Sequence, residues 1–218
     1  MKKLVVANWK EHKTTSEARD WLSHVAHSTW DRENNEVILC PSFALLPIVK
    51  AEIDRLQLPI KLGSQDFPAF DEGAYTGEES PRLLKEYVHY AIIGHSERRN
   101  SFAEANDLLE KKIKLAKQYE IEPVFCIQNL STPIHSDLRI IAYEPIFAIG
   151  TGNPDTPENA ENIAQKLKQD NQNLMVLYGG SVTEDNVFSF MSSHTLSGVL
   201  VGTASLDPQS FSRLIQAM

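Results

Sequence analysis

Polar side chains suited to acid–base chemistry follow several of the short apolar runs in this sequence. Asn8 and Lys10 follow the first run. His95 follows the fourth run after one glycine, and Glu144 ends the sixth. A carboxylate can act as an acid or a base, and a neutral imidazole can donate to a substrate oxygen and take a proton back. If the fold brings them together, these residue types predict proton transfer on a small anionic substrate.

Glu144 stands at the head of a segment of small residues. From Ile140 the chain reads I-I-A-Y-E-P-I-F-A-I-G-T-G, so it ends in Gly150, Thr151 and Gly152. A carboxylate at the end of a strand is about as often half of a structural ion pair as a catalytic group. The proline and the glycines favour catalysis, because such a segment is typical of a base beneath a closing lid.

His95 and Lys10 each have a structural alternative. A histidine after a strand is more often structural than catalytic, and a lysine beside a tryptophan can simply extend along apolar surface. His95, however, opens the helical region that begins Ser96-Glu97. A helix N-terminus disfavours the cationic ring, so we expect a neutral imidazole. Lys10 lies at a strand end in an acidic protein, which favours an anion contact.

Two glycine groups predict a phosphate site. Gly179-Gly180-Ser181 follows the seventh apolar run, and Gly202-Thr203-Ala204-Ser205 follows the eighth. Backbone N–H groups approach a phosphate closely where side chains are small. Either group alone is weak evidence, but the pair matches the phosphate site found after the last two strands of many barrels.

Eight strand candidates alternate with helical patterns along most of the chain. Continuous rather than alternating hydrophobicity is typical of parallel strands that are covered on both faces. The pattern predicts one (β/α)₈ barrel over residues 1–218, with a doubly wound open sheet as the alternative. The predicted strands are Leu4–Ala7, Val37–Cys40, Ile60–Gly63, Tyr90–Ile93, Glu122–Ile127, Ile140–Tyr143, Leu174–Tyr178 and Gly198–Val201.

Two connections depart from this alternation. Ser64–Glu79 is a long connection that carries several aromatic residues, and such loops are often functional contact surfaces. Only the eleven residues Gln128–Leu138 separate the fifth and sixth strands, and Pro133 lies among them. Eleven residues can span a strand but leave little room for a covering helix. We therefore predict that the helix between these strands is missing or reduced.

Composition and charge argue against several classes of function. A net charge of −8 without a cluster of lysines and arginines argues against a nucleic-acid surface. Cys40 and Cys126 lie in strand-like runs, which favours buried thiols in a reducing compartment. The first apolar run is too short for a signal peptide, and no later run reaches the length of a membrane span. We expect a cytoplasmic protein without membrane or nucleic-acid partners.

Motifs from the first strand to the last closely resemble those of the triosephosphate isomerase family. They occur in the family's order and cover the whole chain. The matching segments are Asn8-Trp9-Lys10, Ala74-Tyr75-Thr76-Gly77-Glu78, Ile93-Gly94-His95-Ser96-Glu97-Arg98-Arg99, Ala142-Tyr143-Glu144-Pro145, Ala148-Ile149-Gly150-Thr151-Gly152, Tyr178-Gly179-Gly180-Ser181-Val182, and Val201-Gly202 with Ala204-Ser205-Leu206.

The resemblance implies a single-domain TIM barrel that interconverts dihydroxyacetone phosphate and glyceraldehyde 3-phosphate without a metal or cofactor. It implies that Glu144 moves the carbon-bound proton and that a neutral His95 polarises the carbonyl. Lys10 and Asn8 would stabilise the developing negative charge, and Glu97 would hold Lys10 in place.

The resemblance also implies how the substrate and a second subunit are bound. Backbone N–H groups of four residues would hold the phosphate: Gly150, Ser181, Gly202 and Thr203. Closure of residues 145–151 would exclude water. The loop 64–79 would form a homodimer, with Thr76 reaching toward Asn8 of the partner subunit and His95 of the partner subunit.

Three departures from the family pattern stand out. Phe147 replaces a tryptophan of the lid, and Gln128-Asn129 replaces a Gly-Glu pair. Thr203 replaces the second glycine of a phosphate loop, where a β-branched side chain disfavours positive φ. A catalytically weak or silent phosphate-binding barrel is therefore the alternative to an active isomerase. A Schiff-base aldolase is a third possibility, with Lys10 as its one obvious lysine.

Overall fold

Eight parallel strands close into a barrel in the computed structural model, which describes residues 2–149, 152–169 and 171–218. Each strand pairs with the next in chain order, and β8 pairs with β1. All eight predicted strands are confirmed, and the closed sheet excludes the doubly wound alternative. The strands are β1 Lys3–Asn8, β2 Asn35–Cys40, β3 Ile60–Ser64, β4 Tyr90–Ile93, β5 Glu122–Ile127, β6 Ile140–Tyr143, β7 Met175–Tyr178 and β8 Gly198–Val201.

Helices occupy most of the connections between strands. No helix within the described ranges is long and apolar enough to cross a membrane. The helices are α1 Thr15–Val25, α2 Leu46–Leu56, α3 Pro81–Lys85, α4 Ser96–Ser101, α5 Asn106–Gln118, α6 Pro157–Lys168, α7 Val187–Met191 and α8 Pro208–Gln216. Single 3₁₀ turns cover Phe43–Leu45, Ile146–Ala148 and Thr203–Ser205.

The starts of several helices follow from local side-chain chemistry. The Thr14 hydroxyl accepts from the Glu17 N–H and the Glu17 carboxylate accepts from the Thr14 N–H, which completes a capping box before α1. Thr156 accepts from the Asn159 N–H at 3.1 Å, and a proline follows it at the first position of α6. Proline costs little there because its missing N–H would have no partner in the helix.

Barrel closure depends on a close approach at Gly198. This residue pairs with Leu4 and has a φ of 151°. A Cβ at Gly198 would lie 2.0 Å from the Leu4 carbonyl oxygen. Only glycine combines that backbone angle with that contact, so it fixes the seam between the first and last strands.

Two apolar clusters fill the molecule. The smaller lies inside the barrel and includes Val6, Cys40, Cys126 and Leu200. Both cysteines are free and buried, as predicted, and burial raises the pKa of each thiol. The larger cluster joins the outer face of the strands to the helices. Buried on both faces, the strands match the continuous hydrophobic runs of the sequence.

The connection between β5 and β6 contains no helix. It spans residues 128–139 and consists of turns and irregular chain, which confirms the predicted missing helix. Leu138 is buried in the outer cluster, while Leu130 and Ile134 remain exposed. The Lys117 ammonium donates to the Asp137 carbonyl and ties this crossover to α5. The outer faces of both strands stay buried because α5 and α6 contribute to the same cluster.

The long connection after β3 is irregular from Gln65 to Ser80. Phe67 is buried, whereas Phe70 and Tyr75 are exposed and stack with ring centroids 4.4 Å apart. Exposed stacked rings in a long loop fit the predicted contact surface.

A cluster of four charged side chains, three of them buried, fastens this connection to the body of the barrel. The Lys112 ammonium donates to both oxygens of Asp66 at 2.7 Å and to Glu104 at 2.5 Å. Arg98 contacts the same two carboxylates, at 2.9 Å and 2.7 Å respectively. The cluster therefore links the loop after β3 to α4 and α5.

Candidate active site

A cavity of about 570 Å³ opens at the carboxyl ends of the strands. Seven of the residues predicted to be catalytic or to bind phosphate line it: Asn8, Lys10, His95, Glu144, Ser181, Gly202 and Thr203. Glu97 contacts Lys10, and Thr76 lies exposed in the loop after β3. Gly150 lies outside the described residues. The fold thus gathers these seven residues, from five strand ends, around one space.

Glu144 and His95 contact each other directly at the wall of this cavity. His95 Nε2 lies 2.9 Å from Glu144 Oε1, and the Ser96 N–H donates to Glu144 Oε2 at 2.9 Å. Glu144 is only 1% exposed. Both carboxylate oxygens therefore have donors, as a buried charge requires.

Burial and a neighbouring carboxylate shift the pKa of His95 in opposite directions. The Glu97 N–H donates to Nδ1 at 3.3 Å, which places the ring proton of the neutral form on Nε2, facing Glu144. Burial lowers the pKa of His95, but the Glu144 carboxylate raises it, and the net shift is upward. The net direction of the shift is therefore opposite to the one expected from the helix N-terminus alone. The sequence could not show that Glu144 contacts the ring.

We expect His95 to titrate above its ordinary pKa of 6.5 in the free protein and lower in Glu144→Gln. The amide removes the charge that favours the imidazolium, while burial remains. NMR titration of the ring, assigned by its absence in His95→Gln, measures both values. An unchanged pKa in Glu144→Gln would show that the Glu144 carboxylate is not what raises the pKa of His95.

The raised pKa of His95 also makes the stability of the fold depend on pH. Because the pKa of the folded protein exceeds that of the unfolded one, the contribution of His95 to stability is fully present below pH 6.5. It is lost as the pH rises through the folded pKa.

Lys10 is held in an unusual backbone conformation at the mouth of the cavity. Its φ is 53°, in the left-handed region that non-glycine residues rarely adopt. The Lys10 N–H donates to Asn8 Oδ1 at 3.0 Å, and the Gln65 amide donates to the Lys10 carbonyl at 2.6 Å. The ammonium donates to Glu97 Oε1. These contacts hold a cation at the site, and strain of this kind is typical of functional positions.

The two glycine turns also line the cavity. The Ser181 hydroxyl donates to the Ala148 carbonyl at 2.6 Å, so the turn after β7 contacts the segment that follows Glu144. Thr203 begins a 3₁₀ turn and is not among the described non-glycine residues with positive φ. The threonine therefore fits this loop without the backbone strain that the sequence predicts.

Three supporting residues were missed by sequence reasoning. Ser96 binds Glu144 through its backbone, Gln65 braces Lys10, and Asp155 contacts the last residues of two strands. Gln65 follows β3 directly, so the rule that singled out strand-end residues could have found it. The backbone contact of Ser96 and the carboxylate of Asp155 carry no comparable sequence signal.

Comparison with known proteins places this geometry in a family. The family model described as triosephosphate isomerase matches residues 3–137 and 130–218. A triosephosphate isomerase of Dictyoglomus turgidum is 34% identical over 249 aligned positions, which cover 99% of each chain. The chain belongs to the triosephosphate isomerase family. Members from Aquifex aeolicus and Trichodesmium erythraeum are 35% and 37% identical, again over 99% of each chain.

Comparison with the family also shows where this chain is shorter than its relatives. At least 31 positions of the alignment with the Dictyoglomus turgidum protein, the difference between 249 and 218, have no residue in this chain. The two matches to the family model meet at residues 130–137, within the crossover that lacks a helix. The family pattern is thus interrupted where the barrel loses its covering element.

Proposed function

We propose that this protein interconverts dihydroxyacetone phosphate and glyceraldehyde 3-phosphate, with Glu144 as the base. The observation that carries the proposal is the direct contact of Glu144 with His95 in a cavity that two glycine turns also line. Family membership supports the same reaction, since the related proteins are named triosephosphate isomerases. A silent phosphate-binding barrel would have no need for this pair.

Glu144 and His95 divide the proton transfers between them. The Glu144 carboxylate takes a proton from the carbon next to the carbonyl and returns it to the neighbouring carbon. His95 donates its Nε2 proton toward the substrate oxygen and recovers a proton from the adjacent hydroxyl. As Glu144 takes up its proton, the negative charge that raises the pKa of His95 is lost, and this favours the neutral form of the ring.

The remaining residues stabilise charge and hold the phosphate. The Lys10 ammonium and the Asn8 amide lie where negative charge develops on the substrate oxygens. Backbone N–H groups of Ser181, Gly202, Thr203 and Gly150 bind the phosphate in this proposal. In this proposal, closure of the segment that follows Glu144 excludes water from the enediolate. All of these groups come from this chain, so the proposed steps use no metal or cofactor.

A coupled assay on glyceraldehyde 3-phosphate tests the function. The parent protein is expected to turn over, and His95→Gln is expected to lose about 10²–10⁴-fold in kcat, the range for one positioned acid or base. Binding of inorganic phosphate without any turnover by the parent would favour the silent alternative instead.

We further propose a homodimer formed through the loop 64–79. Its support is the exposed Thr76, the exposed rings of Phe70 and Tyr75, and the motif shared with the family. A contact from Thr76 to Asn8 of the partner subunit and His95 of the partner subunit would couple assembly to activity.

Thr76→Arg is expected to shift the dimer toward monomer and to lower activity, because a bulky cation at the loop tip blocks docking. Light scattering over a dilution series measures the shift. Gln172→Arg, which adds the same charge at an exposed turn before β7, serves as the control and should leave the dimer intact. A fully active monomeric parent would refute the role of the loop.

We also propose that the protein works in the cytoplasm on a small-molecule substrate, without nucleic acid or membrane. Two free buried cysteines and the acidic net charge support this proposal.

A further inference from the structure

Asp155 is a buried carboxylate between the segment that follows Glu144 and helix α6. It is 8% exposed. Oδ1 accepts from the Thr156 N–H at 2.8 Å, and Oδ2 accepts from the Asn159 amide at 2.7 Å. The Tyr143 hydroxyl donates to the same Oδ2 at 3.3 Å. Both oxygens are therefore engaged, which a carboxylate removed from water requires.

The backbone of Asp155 reaches a second tyrosine. Its N–H donates to the Tyr178 hydroxyl at 2.7 Å. Tyr143 and Tyr178 are the last residues of β6 and β7, so they immediately precede Glu144 and Gly179. Asp155 thus contacts the end of β6, which precedes the proposed base, and the end of β7, which precedes the glycine turn.

The contacts continue into the cavity wall through closely packed glycines. A Cβ at Gly180 would lie 2.1 Å from the Tyr178 hydroxyl, so the hydroxyl rests against the backbone of the turn. A Cβ at Gly179 would lie 3.0 Å from Glu144 Cγ. With so little free space, a shift of either tyrosine is transmitted to the turn or to the base.

We propose that Asp155 is a positioning residue of this site, whose carboxylate fixes Tyr143 and the start of α6 and thereby sets the positions of Glu144 and the Gly179–Ser181 turn. The proposal rests on the proposed function for its kinetic consequences. Asp155 lines no part of the cavity and acts through the two tyrosines, so it is not a catalytic residue. Burial, and then the Asp155 carboxylate, raise the pKa of Tyr143 to about 12, in accord with the contact.

Kinetics of three variants test the proposal. Asp155→Ala is expected to lower kcat about 10- to 100-fold through displacement of the base. It should also raise KM, and the Kd for inorganic phosphate, about 3- to 10-fold through loosening of the turn. Tyr143→Phe, which removes only the β6 contact, should lower kcat and leave KM unchanged. Asp155→Asn keeps an acceptor oxygen and should recover part of both losses.

Glu158→Ala provides the matched control. It removes the same charge three residues later, from an exposed position in the first turn of α6. Both kcat and KM are expected to stay within about twofold of the parent, as for most surface substitutions. A merely structural role for Asp155 would lower the melting temperature while the folded fraction kept its kcat and KM. Equal kinetics for Asp155→Ala and Glu158→Ala would overturn the proposal.

A spectroscopic measurement keeps this inference separate from the proposed function. In protein labelled with ¹³C at tyrosine Cζ, the Tyr143 resonance is assigned by its loss in Tyr143→Phe. It should move in Asp155→Ala and stay in place in Glu158→Ala. A parent without isomerase activity would refute the proposed function alone. Unchanged phosphate affinity and an unmoved Tyr143 resonance in Asp155→Ala would then refute the positioning role.

Discussion

Glu144→Gln is expected to lower kcat by about 10²–10⁴-fold, the range that one positioned general base contributes. Glutamine has nearly the same shape, and its single amide oxygen can still accept from either the Ser96 N–H or His95 Nε2. Its amide cannot take a proton from carbon. Glu144→Asp keeps the carboxylate and withdraws it by one methylene. A displacement of about 1 Å costs on the order of 10²-fold, so this variant should also be slow. The coupled assay in both directions measures the losses.

Glu184→Gln is the control for this experiment. Glu184 also lines the cavity, yet its carboxylate pairs with Arg213 at 2.6 Å and has no contact with His95 among the described ones. The activity of Glu184→Gln should stay within a few-fold of that of the parent protein. Unaltered turnover in Glu144→Gln would refute the base assignment. Loss of turnover in both variants alike would show that net charge in the cavity, rather than a specific base, controls the rate.

Lys112→Met is expected to lower the free energy of unfolding by about 3–5 kcal/mol, the usual cost of removing one partner from a buried ion pair. It leaves the carboxylates of Asp66 and Glu104 buried with Arg98 as their remaining cation. For a chain of this size the melting temperature should fall by roughly 6–20 °C. Thermal unfolding at several protein concentrations measures the change, because a dimer would make the midpoint concentration-dependent.

Lys114→Met separates burial from charge. Lys114 pairs with Glu110 at 2.6 Å on the exposed face of α5, where solvent-screened pairs contribute far less to stability than buried ones. Similar losses of unfolding free energy in both lysine variants would contradict the role assigned to burial.

The cluster also makes stability depend on pH. Burial raises the pKa of Asp66, so the folded chain binds a proton at this carboxylate more readily than the unfolded chain does. Stability therefore falls as the pH rises through that pKa. The defect of Lys112→Met should accordingly be larger at neutral than at acid pH.

Local patterns of the sequence were sufficient for the strands and for the residues at their ends. Continuous apolar runs can hardly form anything but covered strands, and the residue after such a run must face the carboxyl end of the barrel. Glu144 and His95 follow from this rule. The boundaries of α7 were less predictable, since Thr183–Ser192 has a helical pattern but only Val187–Met191 is helical. There, local side-chain bonds of Asn186 replace helical ones.

Contacts between distant segments could not be read from the sequence. Lys112 resembles any exposed helical lysine until the fold places Asp66 against it. Likewise, the pKa of His95 depends on a carboxylate 49 positions later in the chain, counted from residue 95 to residue 144. Such pairings are set by the path of the whole barrel, so only the three-dimensional structure shows them.

The crossover without a helix has a further consequence for how the barrel assembles. Twelve residues, 128–139, join β5 to β6, whereas residues 41–59 between β2 and β3 number nineteen. Closing a loop costs about 0.6 kcal/mol less in chain entropy for each halving of its length. The pair that delivers Glu144 therefore has the least entropy to lose on pairing, and low sequence separation favours early formation. The shortest connection between neighbouring strands thus lies in the part of the sheet that is expected to form early.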